Sequence, residues 1–262
     1  MTREEIAAAV AAVPEWFHSI DVGSGVITPG RKSVAQLANE LEQLQLGDLT
    51  GLTVLDVGAN DGYFSFAAEE RGARRVVALD YFTWCSDPVL RVLDWQEAKA
   101  LGCLPATERP GLWRPETKPG KLPFDTARRL RSSRVEDVVA NFMKVDLNQL
   151  GEFDVVLFLG VLYHLDDPFT GLQRLAKVTR GVAYIETAGI VVADHEDQLL
   201  AEFYPGAELG DDHTNWWAPS LPALEGMCRA AGFARITPLA GHPHRPDGRS
   251  IERCRLMVRA EK

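Results

Sequence analysis

The chain has 262 residues, 46% of them hydrophobic and 25% charged, which fits one large α/β domain with an appendage or two small domains. Its 37 acidic side chains outnumber 28 lysines and arginines, and the resulting charge of −9 disfavours a nucleic-acid partner, because phosphates are neutralised by a basic surface. The apolar runs are shorter than the ~18 residues of a membrane span, and the charged start of the chain is unlike a secretory signal. Four cysteines without a CxxC pair predict reduced thiols in a cytoplasmic protein.

The start of the chain predicts a helical and hairpin extension. Thr2 and Glu5 have the spacing of a capping box, and the residues after them predict a helix over 6–13. Two short apolar runs flank a Gly-Ser-Gly turn at 23–25, which indicates a hairpin or an ordered loop. A second helix is predicted over 34–46, where leucines recur on one face.

Residues 49–262 form the predicted main domain, and residues 1–48 an extension that is part of a substrate lid. In the main domain short strands alternate with helices, which predicts a mostly parallel sheet, and two closely spaced strands at the end predict an antiparallel last strand. Residues 81–133 hold several prolines and tryptophans and predict an inserted helical or loop region. A helix is predicted over 135–141, although a strand is possible there. The predicted strands are 53–57, 75–79, 142–145, 153–159, 182–186, 234–239 and 253–258, and the other helices are 64–70, 124–130, 169–178 and 222–231.

A glycine-bearing turn after the first predicted strand is the central functional motif. Gly58 and Gly62 let the backbone approach a ligand closely, and the next helix presents free N–H groups there. The second strand ends at Asp80, where a carboxylate can accept both ribose hydroxyls of a nucleoside. Asp146, placed just past the third predicted strand, is expected to meet an adenine amino group, and Asp56 to orient the turn or an ammonium group.

The spacing within this turn distinguishes two nucleoside cofactors. A dinucleotide fingerprint has the pattern G-x-G-x-x-G, and Asn60 stands where its second glycine belongs, which disfavours an NAD dehydrogenase. The pattern that remains, Asp-x-Gly-x-x-x-Gly, suits a nucleoside with a charged amino-acid tail, such as S-adenosylmethionine (SAM). The alternative is a strand-to-helix turn whose glycines serve geometry alone.

The turn Asp-Val-Gly-Ala-Asn-Asp-Gly at 56–62 resembles the SAM-binding turn of class I methyltransferases, with Asn60 in place of a glycine often found there. Gly-Val-Leu-Tyr-His-Leu at 160–165 is similar to the segment after the fourth strand of that class. This segment, Tyr-Ile-Glu-Thr at 184–187 and Asn-Trp-Trp at 215–217 resemble the tRNA wobble-uridine carboxymethyltransferase-like group. The resemblance implies a Rossmann-like class I methyltransferase fold with a seven-stranded sheet, SAM as cofactor and S-adenosylhomocysteine (SAH) as product. The cofactor-binding residues that it and the spacing indicate are Asp56, Gly58, Asn60, Gly62, Asp80, Tyr81, Asp146, Leu147, Gly160 and Tyr163.

The carboxymethyltransferases of this group hold the extra carboxylate of carboxy-SAM with a lysine, a tyrosine and an arginine. Tyr163 matches the tyrosine by its motif, and Lys32 is a candidate for the lysine in different flanking sequence. The sequence offers no match for the arginine, so we expect ordinary SAM.

His164 is the candidate catalytic base. Methyl transfer depends on holding the acceptor in line, and a hydroxyl acceptor must also lose a proton, for which histidine is suited near neutral pH. His164 follows the fourth strand, at the sheet edge where ligands bind in open α/β folds, although a histidine can also merely pack there. Further candidate substrate residues, for which plain packing is the alternative, are Trp16, His18, Arg31, Lys32, Tyr204, Trp216 and Trp217.

These patterns predict a SAM-dependent methyltransferase that O-methylates a small hydroxylated metabolite. The alternatives are a tRNA wobble-uridine methyl- or carboxymethyltransferase and a non-catalytic SAM-binding protein. The arginines between Arg128 and Arg134 can contact phosphate or form a solvated helix face. No metal is expected, because the loop with Asp211, Asp212 and His213 is more typical of a solvated acidic turn.

Overall fold

The computed structural model describes residues 1–101, 109–239 and 250–262, so part of the predicted insertion and the polar loop before the last strand lie outside the described residues. None of the helices in these ranges is long and apolar enough to span a membrane. The helices are α1 (Arg3–Ala11), α2 (Val34–Leu44), α3 (Tyr63–Glu70), α4 (Phe82–Cys85), α5 (Pro88–Leu101), α6 (Leu122–Leu130), α7 (Leu147–Leu150), α8 (Pro168–Val178) and α9 (Leu221–Ala231), with 3-10 turns at Pro119–Lys121 and Leu162–His164. The strands are β1 (Thr53–Val57), β2 (Arg75–Asp80), β3 (Glu136–Val139), β4 (Phe153–Leu159), β5 (Thr179–Val192), β6 (Ala201–Phe203), β7 (Trp217–Pro219), β8 (Arg235–Pro238) and β9 (Ile251–Glu261).

Seven of these strands form one sheet in the order β3-β2-β1-β4-β5-β9-β8, and β6 pairs with β7. The β1–β4, β2–β3 and β4–β5 pairs are parallel, whereas β9 runs antiparallel to both of its neighbours. The predicted Rossmann-like α/β fold, with a mostly parallel seven-stranded sheet and an antiparallel last strand, is therefore confirmed.

The chain divides into two compact units, of which the first comprises residues 1–52 and 58–141. It contains α1 to α6 and the parallel pair β2–β3. The predicted capping box is present, because the Thr2 hydroxyl accepts from Glu5 N and the Glu5 carboxylate accepts from Thr2 N. The predicted hairpin is also present, as Asp21 and Ile27 form an antiparallel bridge across the glycine turn.

The second unit comprises residues 53–57 and 142–262. Its strand β4 lies between β1 and β5 and is buried along most of its length, which explains its nearly continuous apolar sequence. Helix α9 begins after Ser220, whose hydroxyl accepts from Ala223 N, and ends at Gly232 with φ of 110°, close to the predicted bounds.

The third strand was predicted in the wrong place. Residues 135–141, for which a helix was favoured, contain β3, and residues 142–145 form a turn instead of a strand. Among the described strands β3 pairs only with β2, so this edge strand is half-exposed and tolerates charged residues such as Asp137. Asp146 consequently follows no strand; it is the N-cap of α7.

Candidate active site

The turn that follows β1 contains three residues with positive φ. Gly58, Asn60 and Gly62 have φ angles of 79°, 52° and 91°. Gly62 has no room for a side chain, because a Cβ atom there would lie 2.8 Å from buried aromatic rings. Gly58 is exposed between buried neighbours, so its backbone is open to a ligand. Asparagine tolerates the left-handed conformation, which explains how the turn forms with Asn60 where a glycine was expected.

Asp80 is buried at the end of β2, and both of its carboxylate oxygens accept backbone hydrogen bonds. Asn60 N donates to Oδ2 at 2.9 Å, and Thr83 N donates to Oδ1 at 3.0 Å. Burial raises the pKa of Asp80, and these N–H donors oppose the rise. The carboxylate thus ties the glycine turn to the end of β2.

Asp61 lies inside the same turn and is fully buried. Its Oδ2 accepts from Phe17 N at 2.9 Å and from His18 N at 2.7 Å, and its Oδ1 contacts His18 Nδ1. The His18 ring is buried next to the Tyr63 ring, with centroids 5.7 Å apart. Asp61 therefore joins the N-terminal extension to the glycine turn within the first unit.

The other candidate substrate residues of the extension have structural partners. Trp16 is buried and donates from Nε1 to a backbone carbonyl of α1 at 3.2 Å. Arg31 forms an ion pair with Glu15. Lys32 Nζ lies 2.8 Å from both carboxylate oxygens of Glu40. The Lys32 ammonium group is thus neutralised by a carboxylate of the chain itself.

His164 is held by the loop that precedes β7. Its Nδ1 lies 2.8 Å from Thr214 O and 3.0 Å from Thr214 Oγ1. A carbonyl oxygen only accepts, so Nδ1 carries a proton. The Thr214 hydroxyl donates to Asp212 Oδ1 at 2.6 Å, so Oγ1 also faces Nδ1 as an acceptor. Burial lowers the pKa of His164, which keeps the ring neutral near pH 7 and leaves Nε2 with the lone pair of a base.

Tyr163, next to this histidine, packs against an arginine that the sequence did not indicate. The guanidinium carbon of Arg255 lies 4.8 Å from the Tyr163 ring centroid, and Arg255 donates to both carboxylate oxygens of Glu186. Burial opposes the charge of Arg255, but Glu186 and Tyr163 outweigh it and raise its pKa. Burial also raises the pKa of Tyr163. Gly160 leaves space here, since a Cβ atom on it would lie 3.4 Å from the Tyr163 hydroxyl.

Tyr204 lies in a small hydrophobic core with Ala188 and Ile190, and only 2% of its surface is exposed. Its hydroxyl donates to Glu202 and accepts from Arg253 Nε at 3.2 Å. Burial, with a contribution from Glu202, raises the pKa of Tyr204 to about 12. The structure thus places this candidate substrate residue among packed side chains of the second unit.

Trp216 and Trp217 are half-buried on either side of Phe203. The ring centroids of Phe203 and Trp216 lie 6.1 Å apart and those of Phe203 and Trp217 lie 4.9 Å apart. Trp216 N donates to Tyr163 O at 2.8 Å. This backbone bond connects the tryptophans to the turn that carries His164, so these candidates do come together.

The remaining candidate cofactor residues lie at strand and helix ends. Asp56 is buried within β1. Tyr81 follows Asp80 and contacts Trp113 edge to face, with centroids 5.0 Å apart. Asp146 is exposed and accepts a backbone N–H of α7 at 3.0 Å, and the half-buried Leu147 begins that helix.

The acidic loop contributes to the histidine site rather than to a cluster of metal ligands. Asp212 orients Thr214 through both its N–H, at 2.8 Å, and its hydroxyl. Within the described ranges no group of three or more His, Cys, Asp or Glu side chains is arranged to hold a metal ion.

Sequence reasoning missed three residues that organise these sites: Asp61, Thr214 and Arg255. Asp61 was read as part of a turn, although an acidic residue between the glycines is a signal for a specific hydrogen-bond partner. Arg255 is one of three arginines in β9, so its sequence position alone does not single it out. Thr214 has no such signal, because its role depends on a tertiary contact with His164.

A family model described as a methyltransferase domain matches residues 31–237. The chain therefore belongs to this methyltransferase family. The expectation of a class I SAM-dependent methyltransferase is confirmed, and SAM is its cofactor. The glycine turn and the Asp80 carboxylate that it contacts fit a nucleoside cofactor of this kind.

Similar proteins extend this comparison. The tRNA U34 carboxymethyltransferases of Pseudomonas putida (strain W619) and Pseudomonas savastanoi pv. phaseolicola are 30% and 31% identical over 193 residues, which is 72% of this chain. The chain spans about half the length of these curated relatives, 48% and 47%. The crystal structure of the N-terminal domain of EvdMO1 in the presence of SAH and D-fucose has a TM-score of 0.59 at 18% identity, covering 100% of this chain and 97% of that one, and shows the same fold.

Proposed function

We propose that this methyltransferase transfers the methyl group of SAM to a hydroxyl group of a small metabolite, with His164 as the general base. The observation that carries the proposal is the bonding of His164, whose Nδ1 donates to Thr214 O at 2.8 Å. The opposite ring nitrogen, Nε2, is then unprotonated, and the lowered pKa keeps it so near neutral pH. A hydroxyl group that receives a methyl group must also lose its proton. A neutral histidine at the site can take up that proton.

SAM supplies a methyl group on a positively charged sulfur, which is already a good leaving group. The chain therefore has to bind the cofactor, position the acceptor and remove a proton. We assign cofactor binding to the predicted set, in which Asp80 accepts ribose hydroxyls and Gly58 leaves the backbone accessible. We assign residues 1–48 to a lid over the acceptor, as the sequence predicts.

The charges on the described surface support a small acceptor over tRNA. Three arginines of the basic segment pair with carboxylates: Arg128 with Asp137, Arg131 with Glu70 and Arg134 with Glu69. These pairs reduce the positive charge available to phosphates in a chain that already carries −9.

The second candidate function is tRNA wobble-uridine methylation or carboxymethylation. The contact between Tyr163 and Arg255 favours it, because the carboxymethyltransferase-like group holds the carboxylate of carboxy-SAM with a tyrosine and an arginine. In this chain Arg255 already binds both carboxylate oxygens of Glu186. Lys32 likewise binds both carboxylate oxygens of Glu40, so each cation has a carboxylate partner within the protein. This charge balance supports ordinary SAM.

The test incubates the protein with methyl-labelled SAM and, in separate reactions, a small-metabolite extract and total tRNA. We expect a labelled O-methyl product in the metabolite fraction, identified by mass spectrometry, and no label in tRNA. D-fucose and related sugars are included as defined acceptors, because SAH and D-fucose accompany the similar EvdMO1 domain. Label on a wobble uridine, with salt-sensitive tRNA binding, would overturn the small-molecule proposal in favour of the second candidate.

A further inference from the structure

The bonding of Asp61 and His18 is more specific than a lid attachment requires. Asp61 is 0% exposed, and its carboxylate accepts from two successive backbone N–H groups as well as facing the His18 ring. The two backbone bonds, at 2.9 and 2.7 Å, would suffice to hold the extension on the glycine turn. The third contact, between Asp61 Oδ1 and His18 Nδ1, orients the His18 side chain and not the backbone.

The same contact sets the tautomer of His18. Asp61 Oδ1 is an acceptor, so the ring nitrogen that contacts it, Nδ1, carries the proton. When the ring carries this single proton, Nε2 is the hydrogen-bond acceptor. The imidazole is buried except for 7% of its side-chain surface, and the Tyr63 and Phe64 rings pack around it. A buried ring with a fixed tautomer is prepared to accept one hydrogen bond in one direction.

The backbone that carries this ring is held by further contacts. Gly30 packs directly on the backbone of His18 and Ser19, where a Cβ atom would overlap main-chain atoms. Thr28 Oγ1 donates to His18 O at 2.7 Å. Because Asp61 belongs to the turn between Gly58 and Gly62, the ring is held next to the backbone that we assign to the cofactor.

We propose that His18 binds the acceptor, accepting a hydrogen bond at Nε2 from a hydroxyl or amino group of the substrate, and that Asp61 is the positioning residue that sets its tautomer. The proposal rests on the proposed small-molecule methyl transfer and deepens it. It assigns to the acceptor a hydroxyl or amino group that donates to His18.

Two isosteric variants separate this role from plain tethering. In Asp61→Asn, the amide oxygen still accepts from the backbone N–H groups, but the amide nitrogen faces Nδ1 as a donor and moves the ring proton to Nε2. In His18→Asn, the amide nitrogen takes the place of Nδ1 and keeps the bond to Asp61, but Nε2 is lost. Asp21→Asn is the matched control, because Asp21 is an exposed acid of the same extension that accepts from Gly23 N at 2.9 Å.

The experiment measures methyl transfer from SAM over a dilution series of the small-metabolite extract, together with SAH affinity and the thermal midpoint. For Asp61→Asn and His18→Asn we expect the half-saturating extract concentration to rise about 10- to 100-fold, the loss of one or more hydrogen bonds to the acceptor. The maximal rate should change much less, SAH affinity and thermal midpoint should match wild type, and the double variant should resemble each single variant. Asp21→Asn should behave as wild type.

Nitrogen NMR of histidine-labelled protein provides a readout that does not depend on the acceptor. We expect His18 to carry its proton on Nδ1 in the wild type and on Nε2 in Asp61→Asn. A wild-type protein with the proton on Nε2, or variants with unchanged half-saturation, overturns the role of His18 while leaving the proposed function intact. No transfer by wild-type protein to any metabolite overturns the proposed function instead. Losses that follow a lowered thermal midpoint assign Asp61 to tethering alone.

Discussion

His18 in the first unit and His164 in the second present the same tautomer through different partners. Each ring presents a protonated Nδ1 to an acceptor, which in the neutral form of the ring leaves Nε2 as an acceptor. His18 faces a fully buried carboxylate inside a glycine turn. His164 faces a neutral backbone carbonyl and the Thr214 hydroxyl, which Asp212 orients from a loop.

The two histidines differ in the group that their Nδ1 atoms face, and this difference indicates what each ring is suited to do. A neutral carbonyl partner together with burial lowers the pKa of His164, so the ring is a neutral base that takes a proton when the reaction delivers one. A buried carboxylate partner, together with the Tyr63 and Phe64 rings, holds His18 in one position and suits it to a binding role. The comparison therefore supports proton removal by His164 and a binding role for His18.

Replacement of His164 by asparagine should give the largest effect. The asparagine amide nitrogen can occupy the position of Nδ1 and donate to Thr214 O, while the base at Nε2 is lost. We expect turnover to fall about 10²–10⁴-fold, the usual contribution of a general base, with unchanged SAH affinity. His195→Asn, at an exposed histidine of the same unit, is the control. Turnover equal to wild type in His164→Asn would assign catalysis to positioning of the acceptor alone. His164 would then not be a general base, and the proposed functional difference between the two histidines would be wrong.

Loss of the Asp80 carboxylate should weaken cofactor binding. Asp80 is the buried acceptor for Asn60 N and Thr83 N, and we assign ribose binding to it. Asp80→Ala should cost about 1–3 kcal/mol in SAH binding, as measured by calorimetry, because it leaves buried donors without an acceptor. Asp80→Asn, which retains one acceptor oxygen, should lose less. Equal affinity in all three proteins would move ribose recognition elsewhere.

A side chain at Gly30 should disturb the His18 region and leave the His164 region unaffected. A Cβ atom there overlaps the backbone of His18 and Ser19. Gly30→Ala should therefore destabilise the fold by about 1–3 kcal/mol, as overpacking does, in denaturant unfolding. Gly25→Ala is a useful comparison, since no atom of the described residues lies within 4 Å of a Cβ there, and its expected cost comes from the positive φ of 68°. A fully stable Gly30→Ala would show that the extension packs less rigidly than the contacts indicate.

The pH dependence of methyl transfer should report the protonation of His164. Burial lowers its pKa below the ordinary 6.5, and the neutral form is the active one, so kcat/KM should fall about tenfold per pH unit only below that lowered pKa. Since the folded protein binds the proton more weakly than the unfolded chain, this group's contribution to stability is present above pH 6.5 and is lost as the pH falls below it. His164→Asn should remove the acidic limb of the rate profile. An unaltered limb in that variant would assign the titration to another group.

Removal of the Thr214 hydroxyl should give the smallest effect. The carbonyl of Thr214 still accepts from His164 Nδ1, and only the second acceptor and the link to Asp212 are lost. Thr214→Val should lower turnover a few-fold, in line with about 0.5–1.5 kcal/mol for one neutral hydrogen bond, and Thr214→Ser should restore it. A loss as large as that of His164→Asn would mean that the hydroxyl, and not the carbonyl, fixes the tautomer.

Regular elements with strong periodicity were predictable from the sequence, and an edge strand was not. β1 and β4 were located correctly because strands with neighbours on both sides read as continuous apolar runs. For residues 135–141, which contain β3, a helix was favoured over the alternative of a strand, because the exposed edge allows Glu136 and Asp137, whose charges obscure the strand pattern. The third strand, and with it the place of Asp146, depended on pairing with β2, which is information outside the segment itself.

By itself the sequence determined the nucleoside-binding turn, since the spacing of Gly58, Gly62 and Asp80 after successive strands requires only local backbone geometry and the regular alternation of strands and helices. The resemblance of residues 56–62 and 160–165 to class I methyltransferases implied the class of the protein. The tertiary structure alone decided the partners of the two histidines. Asp61 lies 43 residues from His18, and Thr214 lies 50 residues from His164, so neither pair leaves a trace in local periodicity. A tautomer is set by whichever acceptor the folded chain brings to Nδ1, and that contact exists only once the chain has folded.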